Sequence, residues 1–371
     1  MNKDPVIHTD LPPATGNEPS HLITAKGFLA PLEGCRGLLA LCVVGFHFCK
    51  LFFDAVWTPW GYLAVDFFFI LSGFVITRQY EAKIAMRQID LKTFALRRLA
   101  RLYPLYLVSI GLAIWLNEHM IAWNSPLRIL SYGMGPHFVA WLIAELTMTG
   151  NLTSMAQPNG PVWSVSAEWI VNLVFFALVW YGRRIPNKLL WTTVAIGAIY
   201  MISVTPHTLD DPAHGIPNVR GIVGFTLGWL IFRYHRRLPA KLPLFIWMVD
   251  IVIVALIALM LELYGSTSLI GVDYAFALFI FPAVIIVCLY RWSLIGQFFS
   301  LAPQRFLGRI SYSIYLLHYP LTYLMVNTPW ILAIGKPRLG VYYIFALLTV
   351  ATLSYMFIEV PGRWLGRKLS R

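Results

Sequence analysis

An all-α, polytopic bundle of transmembrane helices is the fold that this sequence predicts, and three observations carry the prediction. Hydrophobic residues make up 58% of the chain and charged residues 12%, against a charged share of about 25% in soluble domains. The mean hydropathy is +0.67. Apolar stretches recur along the chain, each close to the ~20 residues that cross ~30 Å of hydrocarbon. They fall at 37–56, 60–77, 102–117, 163–181, 189–205, 220–234, 244–264, 270–290, 310–327 and 339–358, which makes about ten helices.

Residues 1–28 precede the first stretch, are polar and contain prolines. They lack a basic stretch followed by a short apolar core, so they read as a flexible cytoplasmic tail rather than a cleaved signal. The membrane domain is expected over 29–360 and a basic tail over 361–371. Arg78, Lys83, Arg87, Lys92, Arg97, Arg98 and Arg101 crowd one connection, and Arg183, Arg184, Lys188, Arg233, Arg236, Arg237 and Lys241 crowd two others. With ten spans these connections share one side, which the positive-inside rule makes the cytoplasm, with both termini. The opposite connections keep only Lys50, Arg128, Arg220, Lys336 and Arg338. The net charge of +12 is then mostly topology. Nucleic-acid binding would need a soluble basic face with a reading element, and the sequence has none.

The stretch 124–162 falls outside this pattern. It is rich in Trp, Gly, Pro and Met, and its apolar part, 137–148, is too short to span. It is expected to dip into the membrane or lie along the interface. Cys35, Cys42 and Cys49 recur every seven residues on one helix face. About 10 Å of rise separates neighbours, too far for a shared metal. They read, with Cys288, as packing residues, and no disulfide framework or metal site is expected.

A charged side chain at the centre of a spanning helix costs about 2.5–3.5 kcal/mol, so each one calls for a partner or a task. Arg36 and His47 lie in the first apolar segment, eleven residues apart. Eleven residues are three turns plus ~20°, so both share a helix face, ~16 Å apart along the axis. A histidine there suits general-base chemistry on a hydroxyl, and equally suits a structural bond to a carboxylate such as Asp66. His318, on a tyrosine-rich helix with Pro320, is as readily satisfied by a phenol or a carbonyl. Asp66 and Glu168 fall near outer helix ends, where a carboxylate also complements the helix dipole. Glu168, Ser164 and Ser166 would form a polar edge suited to sugar hydroxyls, or a cap. Arg98 and Arg101 share a face one turn apart, which suits a phosphate, though lipid headgroups draw arginines to the same place. Glu359 is the last polar residue in an apolar setting.

Taken in order, these segments resemble the acyltransferase-3 family of integral membrane O-acyltransferases, from about residue 28 to 368. The motifs are Glu33-Gly-Cys-Arg36-Gly with His47, Phe68-Phe69-Ile70-Leu71-Ser72-Gly73-Phe74, Arg98-Leu-Ala-Arg101-Leu-Tyr-Pro104, Trp163-Ser164-Val-Ser166-Ala-Glu168, Leu307-Gly308-Arg-Ile-Ser311-Tyr312-Ser-Ile-Tyr315-Leu-Leu-His318, and Ile358-Glu359-Val-Pro361. Glu33 stands where the family more often has aspartate. The resemblance implies transfer of an acyl group, acetyl first of all, from acyl-CoA to a hydroxyl of a cell-envelope or exported saccharide. It implies His47 as the general base, Arg36, Arg98 and Arg101 as contacts for coenzyme A, and Glu33, Asp66, Ser166, Glu168, His318 and Glu359 as acceptor-binding or supporting residues. It implies a bacterial cytoplasmic membrane, with membrane lipids, a saccharide or lipid-linked glycan and envelope-biosynthesis proteins as partners. Some members carry an extra hydrolase-like domain, and this sequence resembles the form without it. The competing reading is a transporter for a lipid-linked saccharide, with His47, Asp66 and His318 as a proton relay. Coenzyme A dependence separates the two.

Overall fold

The computed structural model describes residues 30–52, 58, 60–120, 138–153, 157–205, 208–209, 216–239, 245–266, 271–328 and 335–370. The predicted tail over 1–28 and residues 121–137 lie outside them. The described chain is helical, without a strand. Its helices are α1 (Ala30–Phe52), α2 (Ala64–Ala85), α3 (Leu91–Met120), α4 (Phe138–Leu146), α5 (Val162–Gly182), α6 (Asn187–Val204), α7 (Ile216–Tyr234), α8 (Ile246–Ser266), α9 (Val272–Val287), α10 (Leu294–Phe299), α11 (Ala302–Val326), α12 (Lys336–Ser354) and α13 (Val360–Leu369). A π-helical turn, Tyr355–Glu359, joins α12 to α13.

Each of the ten predicted apolar segments overlaps one of these helices. Among the described residues, six spans are long and apolar enough to cross a membrane: Ala30–Cys49, Gly61–Ala85, Leu91–Leu116, Val162–Gly182, Asn187–Val204 and Arg338–Leu369. The large apolar side chains left exposed, among them Ile196, Ile199, Val254 and Phe345, suit a lipid surround and not water. The protein is an integral membrane protein.

Two boundaries differ from expectation. α3 begins at Leu91, eleven residues before the predicted 102, so Arg97, Arg98 and Arg101 lie inside a helix. Asp90 starts it, accepting the Thr93 N–H at 2.9 Å in an N-cap arrangement, and the hydropathy window had missed this polar first part. The expected basic tail after 360 is also helical. α13 packs on α3 at Gly362 and Gly366, where a Cβ would come within 3.1 Å of the Ala100 carbonyl oxygen and 2.1 Å of the Ala100 Cβ. Helix α4, with Trp141, Ala144 and Glu145 buried, spans nine residues and cannot cross the bilayer.

Glycines set the two tightest helix crossings. α1 and α11 meet where a Cβ on Gly308 would lie 2.0 Å from the Glu33 carbonyl oxygen, and one on Gly37 2.5 Å from the Gly308 nitrogen. α2 and α7 meet where a Cβ on Gly73 would lie 2.0 Å from the Phe225 carbonyl oxygen, and one on Gly228 1.9 Å from that of Ile70. The pairings also give relative direction. Arg36 meets Gly308 and His47 meets His318, so α1 and α11 run parallel. Asp66 meets Arg220 and Glu81 meets Arg233, so α2 and α7 run parallel. Arg97 meets Ser370 while Pro104 meets Gly362, so α3 and α13 run antiparallel.

Candidate active site

The parallel course of α1 and α11 brings two histidines together. From the crossing of Gly37 and Gly308, ten residues of α1 lead to His47 and ten of α11 lead to His318, the same rise. The His318 Nε2 lies 3.1 Å from the His47 Nδ1, and the ring centroids are 5.0 Å apart. Backbone carbonyls fix the tautomers. The Tyr315 carbonyl lies 2.7 Å from the His318 Nδ1, which must therefore carry the hydrogen. That leaves the lone pair of His318 on Nε2, facing the His47 Nδ1. The same His47 Nδ1 lies 3.1 Å from the Val43 carbonyl oxygen. One N–H on His47 Nδ1 serves both acceptors, which puts the basic lone pair of neutral His47 on Nε2. His318 thus stands to His47 as an orienting group stands to a general base. A carbonyl satisfies one nitrogen of His318, as the sequence allowed, and the other faces His47.

Asp66 is not the partner of His47. Its carboxylate accepts two bonds from Arg220, at 3.1 Å from Nε and 2.7 Å from Nη2, and both side chains are 4% exposed. Arg220 also donates to the carbonyls of Leu209 and Tyr62. In sequence Arg220 had read as a loop charge, and a separation of 154 residues leaves no spacing signal for such a pair.

A second cluster lies toward the other ends of these helices. Arg36 donates to the Gly308 carbonyl at 2.6 Å, so Gly308 both opens the crossing and accepts the arginine. Glu33, Glu359, Arg101 and Arg363 are close enough to Arg36 for their charges to act on it. The π-helical turn carries Glu359 inward, where it accepts from Ser313 at 2.5 Å and pairs with Arg363 at 3.8 Å. Arg98 donates to Glu168 at 2.6 Å, and Ser72 donates to the same oxygen at 2.8 Å. Arg101 acts on both Arg98 and Arg36. The Nε atoms of Arg36 and Arg98 are buried with no hydrogen-bond partner among the described residues, which leaves donors for an anion.

Two expectations change here. Arg98 is 4% exposed and ion-paired, so it does not sit among lipid headgroups. Glu168 accepts from Arg98 and Ser72. Ser164, Ser166 and Glu168 do not form one edge, because residues two apart on a helix diverge by ~200°. Ser164 bonds the Tyr315 hydroxyl at 2.7 Å, and Ser166 is buried against Tyr106. Arg363 and Ser313 were not singled out from the sequence, and they bring Glu359 into the cluster.

The family model for the acyltransferase domain matches residues 30–359. Similar curated proteins include the O-acetyltransferase OatA of Staphylococcus aureus (strain NCTC 8325 / PS 47), 28% identical over 357 residues that cover 91% of this chain and 58% of that protein. The putative peptidoglycan O-acetyltransferase YrhL of Bacillus subtilis (strain 168) is 27% identical over 376 residues, covering 93% and 56%. The peptidoglycan O-acetyltransferase OatA of Listeria monocytogenes serovar 1/2a is 24% identical over 367 residues, covering 91% and 56%. The chain therefore spans somewhat more than half the length of these curated relatives. No solved structure matches it.

Proposed function

The chain belongs to the acyltransferase-3 family, and from that premise and the paired histidines we propose that it transfers an acetyl group from acetyl-CoA to a hydroxyl of a cell-envelope saccharide. The His47–His318 contact at 3.1 Å is the observation that carries this reading. The glycan of peptidoglycan is the first acceptor to test, since the Listeria monocytogenes relative is named a peptidoglycan O-acetyltransferase.

In this reading the His47 Nε2 takes the proton of the acceptor hydroxyl as its oxygen attacks the thioester carbonyl. The new C–O bond replaces the C–S bond, and the coenzyme A thiolate leaves with the proton that His47 returns. General-base catalysis of this kind contributes about 10²–10⁴-fold. Arg36, Arg98 and Arg101 hold the phosphates of the donor, and the buried unpartnered Nε atoms of Arg36 and Arg98 support that assignment. From the Arg36 level to the His47 level is ~16 Å of helix, within reach of an extended pantetheine arm, so the nucleotide stays on the arginine side. Ten passes with both termini in the cytoplasm put that side inward, in a bacterial cytoplasmic membrane. The parallel pairs α1/α11 and α2/α7 and the antiparallel pair α3/α13 are the directions such a topology requires. The acceptor then approaches His47 from the outer half.

The test uses membrane vesicles, radiolabelled acetyl-CoA and added glycan, with wild type and His47→Ala at matched expression. Label in the glycan from the wild type alone supports the proposal. Equal labelling by both removes His47 from the mechanism, and no label from either returns the transporter reading.

A further inference from the structure

Helix α11 carries Pro320 in its interior. Proline has no N–H, so the carbonyl four residues earlier, that of Leu316, has no i+4 partner in its own helix. Leu316 is fully buried, and a buried carbonyl left unpaired costs about 1–3 kcal/mol. A residue distant in sequence supplies the missing donor. The Asn159 Nδ2 lies 2.9 Å from the Leu316 oxygen, and Asn159 is itself 0% exposed. Chemistry fixes which way its amide points, because only the NH2 end can face a carbonyl.

The neighbours of Asn159 grip the same turn of α11. The Tyr315 hydroxyl donates to the Pro161 carbonyl at 3.1 Å and shares a bond with Ser164 at 2.7 Å. Gly160 lies on the Tyr319 ring, where a Cβ would come within 3.3 Å. Tyr315, Leu316 and Tyr319 bracket His318. The Tyr315 carbonyl holds the His318 Nδ1, and the Tyr319 ring meets His47 edge-on with centroids 5.6 Å apart.

We propose that Asn159 is a positioning residue of the acyl-transfer site: it takes the carbonyl that Pro320 releases and so holds His318 within reach of the His47 Nδ1. The inference rests on the role of His47 proposed above. Without the amide, the Leu316 carbonyl turns toward another donor and the local helix geometry changes. His318 then loses register with His47, whose Nδ1 hydrogen loses one of its two acceptors and keeps only the Val43 carbonyl. Among the described residues, the titratable groups around the pair are the two rings themselves, Tyr315 and Tyr319 on α11, and Tyr343 on α12, whose hydroxyl bonds the His318 carbonyl. Phenols ordinarily titrate near pH 10, so a change in titration near neutral pH reports the histidine pair.

The experiment measures two quantities in wild type, Asn159→Ala and Asn159→Asp. The first is kcat for acetyl transfer against pH, with KM for acetyl-CoA. The second is the pH midpoint of His47 carbethoxylation by diethyl pyrocarbonate, read by mass spectrometry, which requires no turnover. In Asn159→Ala, kcat is expected to fall about 10–100-fold, as for a misplacement of about 1 Å, with KM for the donor unchanged and the midpoint moved. In Asn159→Asp, which keeps the side-chain shape should the alanine variant fail to fold, the new carboxyl donates to Leu316 only when protonated. Its kcat relative to wild type is therefore expected to fall as pH rises. An unmoved midpoint in Asn159→Ala, or a pH-independent ratio for Asn159→Asp, overturns the inference. A wild type that transfers no acetyl, with a midpoint that still moves in Asn159→Ala, removes the acyl-transfer reading and leaves the positioning role of Asn159 standing.

Discussion

Replacing Gly308 with alanine places a methyl carbon 2.0 Å from the Glu33 carbonyl oxygen and 2.4 Å from its carbon, where ordinary contact begins near 3.4 Å. Both obstacles are helix backbone and cannot rotate away, so α1 and α11 must part by more than ~1 Å. Overpacking of this kind costs about 1–3 kcal/mol. The 2.6 Å bond from Arg36 to the Gly308 carbonyl opens with it, and a hydrogen bond to a charged group contributes about 1.5–3 kcal/mol. The two together put the loss near 2.5–6 kcal/mol, less whatever the crossing recovers by relaxing. The same separation reaches the His47–His318 contact further along both helices, where a misplacement of about 1 Å costs on the order of 10²-fold in rate. The assay is acetyl transfer and thermal inactivation of the detergent-purified protein, with Gly111→Ala as comparison. A Cβ on Gly111 meets nothing within 4 Å, so that change should leave the rate alone and stabilise α3 by about 0.5–1 kcal/mol. If Gly308→Ala behaves like Gly111→Ala in both measurements, the glycine crossing does not set the site.

Asp66→Asn leaves Arg220 buried without its carboxylate and should destabilise by about 3–5 kcal/mol in thermal inactivation, while Asp66→Leu with Arg220→Met should restore most of it; a double variant no better than the single would contradict the pairing. Burial pushes the Glu145 carboxyl from 4.5 up to about 7, against the Tyr106 hydrogen bond, which favours the carboxylate. A raised folded-state value means stability is fully present below about 4.5 and is lost as pH rises through about 7. Glu145→Gln should flatten thermal stability between those limits, and an unchanged slope would remove Glu145 as its source. Arg101→Ala should raise KM for acetyl-CoA about tenfold, the ~1.5 kcal/mol of one charged hydrogen bond, with KM for the glycan unchanged; a shift in the glycan value alone would reassign the residue.

The parts of this fold that the sequence made legible are those written in local patterns. Hydropathy located a helix overlapping each of ten segments, because a span through lipid must be predominantly apolar. The eleven-residue spacing of Arg36 and His47 put them on one face, because helical periodicity is local. What stayed hidden was pairing across the chain. His47 meets His318 over 271 residues and Asp66 meets Arg220 over 154, and no periodicity encodes either. Hydropathy also misplaced the start of α3, since its first turns are helical and polar at once. Asn159 carried no signal of its own.

The most direct measurement of the central claim compares kcat for acetyl transfer in wild type, His47→Ala and His318→Gln across neutral pH. The account predicts a loss of about 10²–10⁴-fold for His47→Ala. It predicts a smaller loss for His318→Gln, with the pH profile displaced because the His47 ring loses its imidazole neighbour and one of the two acceptors of its Nδ1 hydrogen. Full activity in His47→Ala, or a His318→Gln variant with the rate and pH profile of wild type, would contradict it.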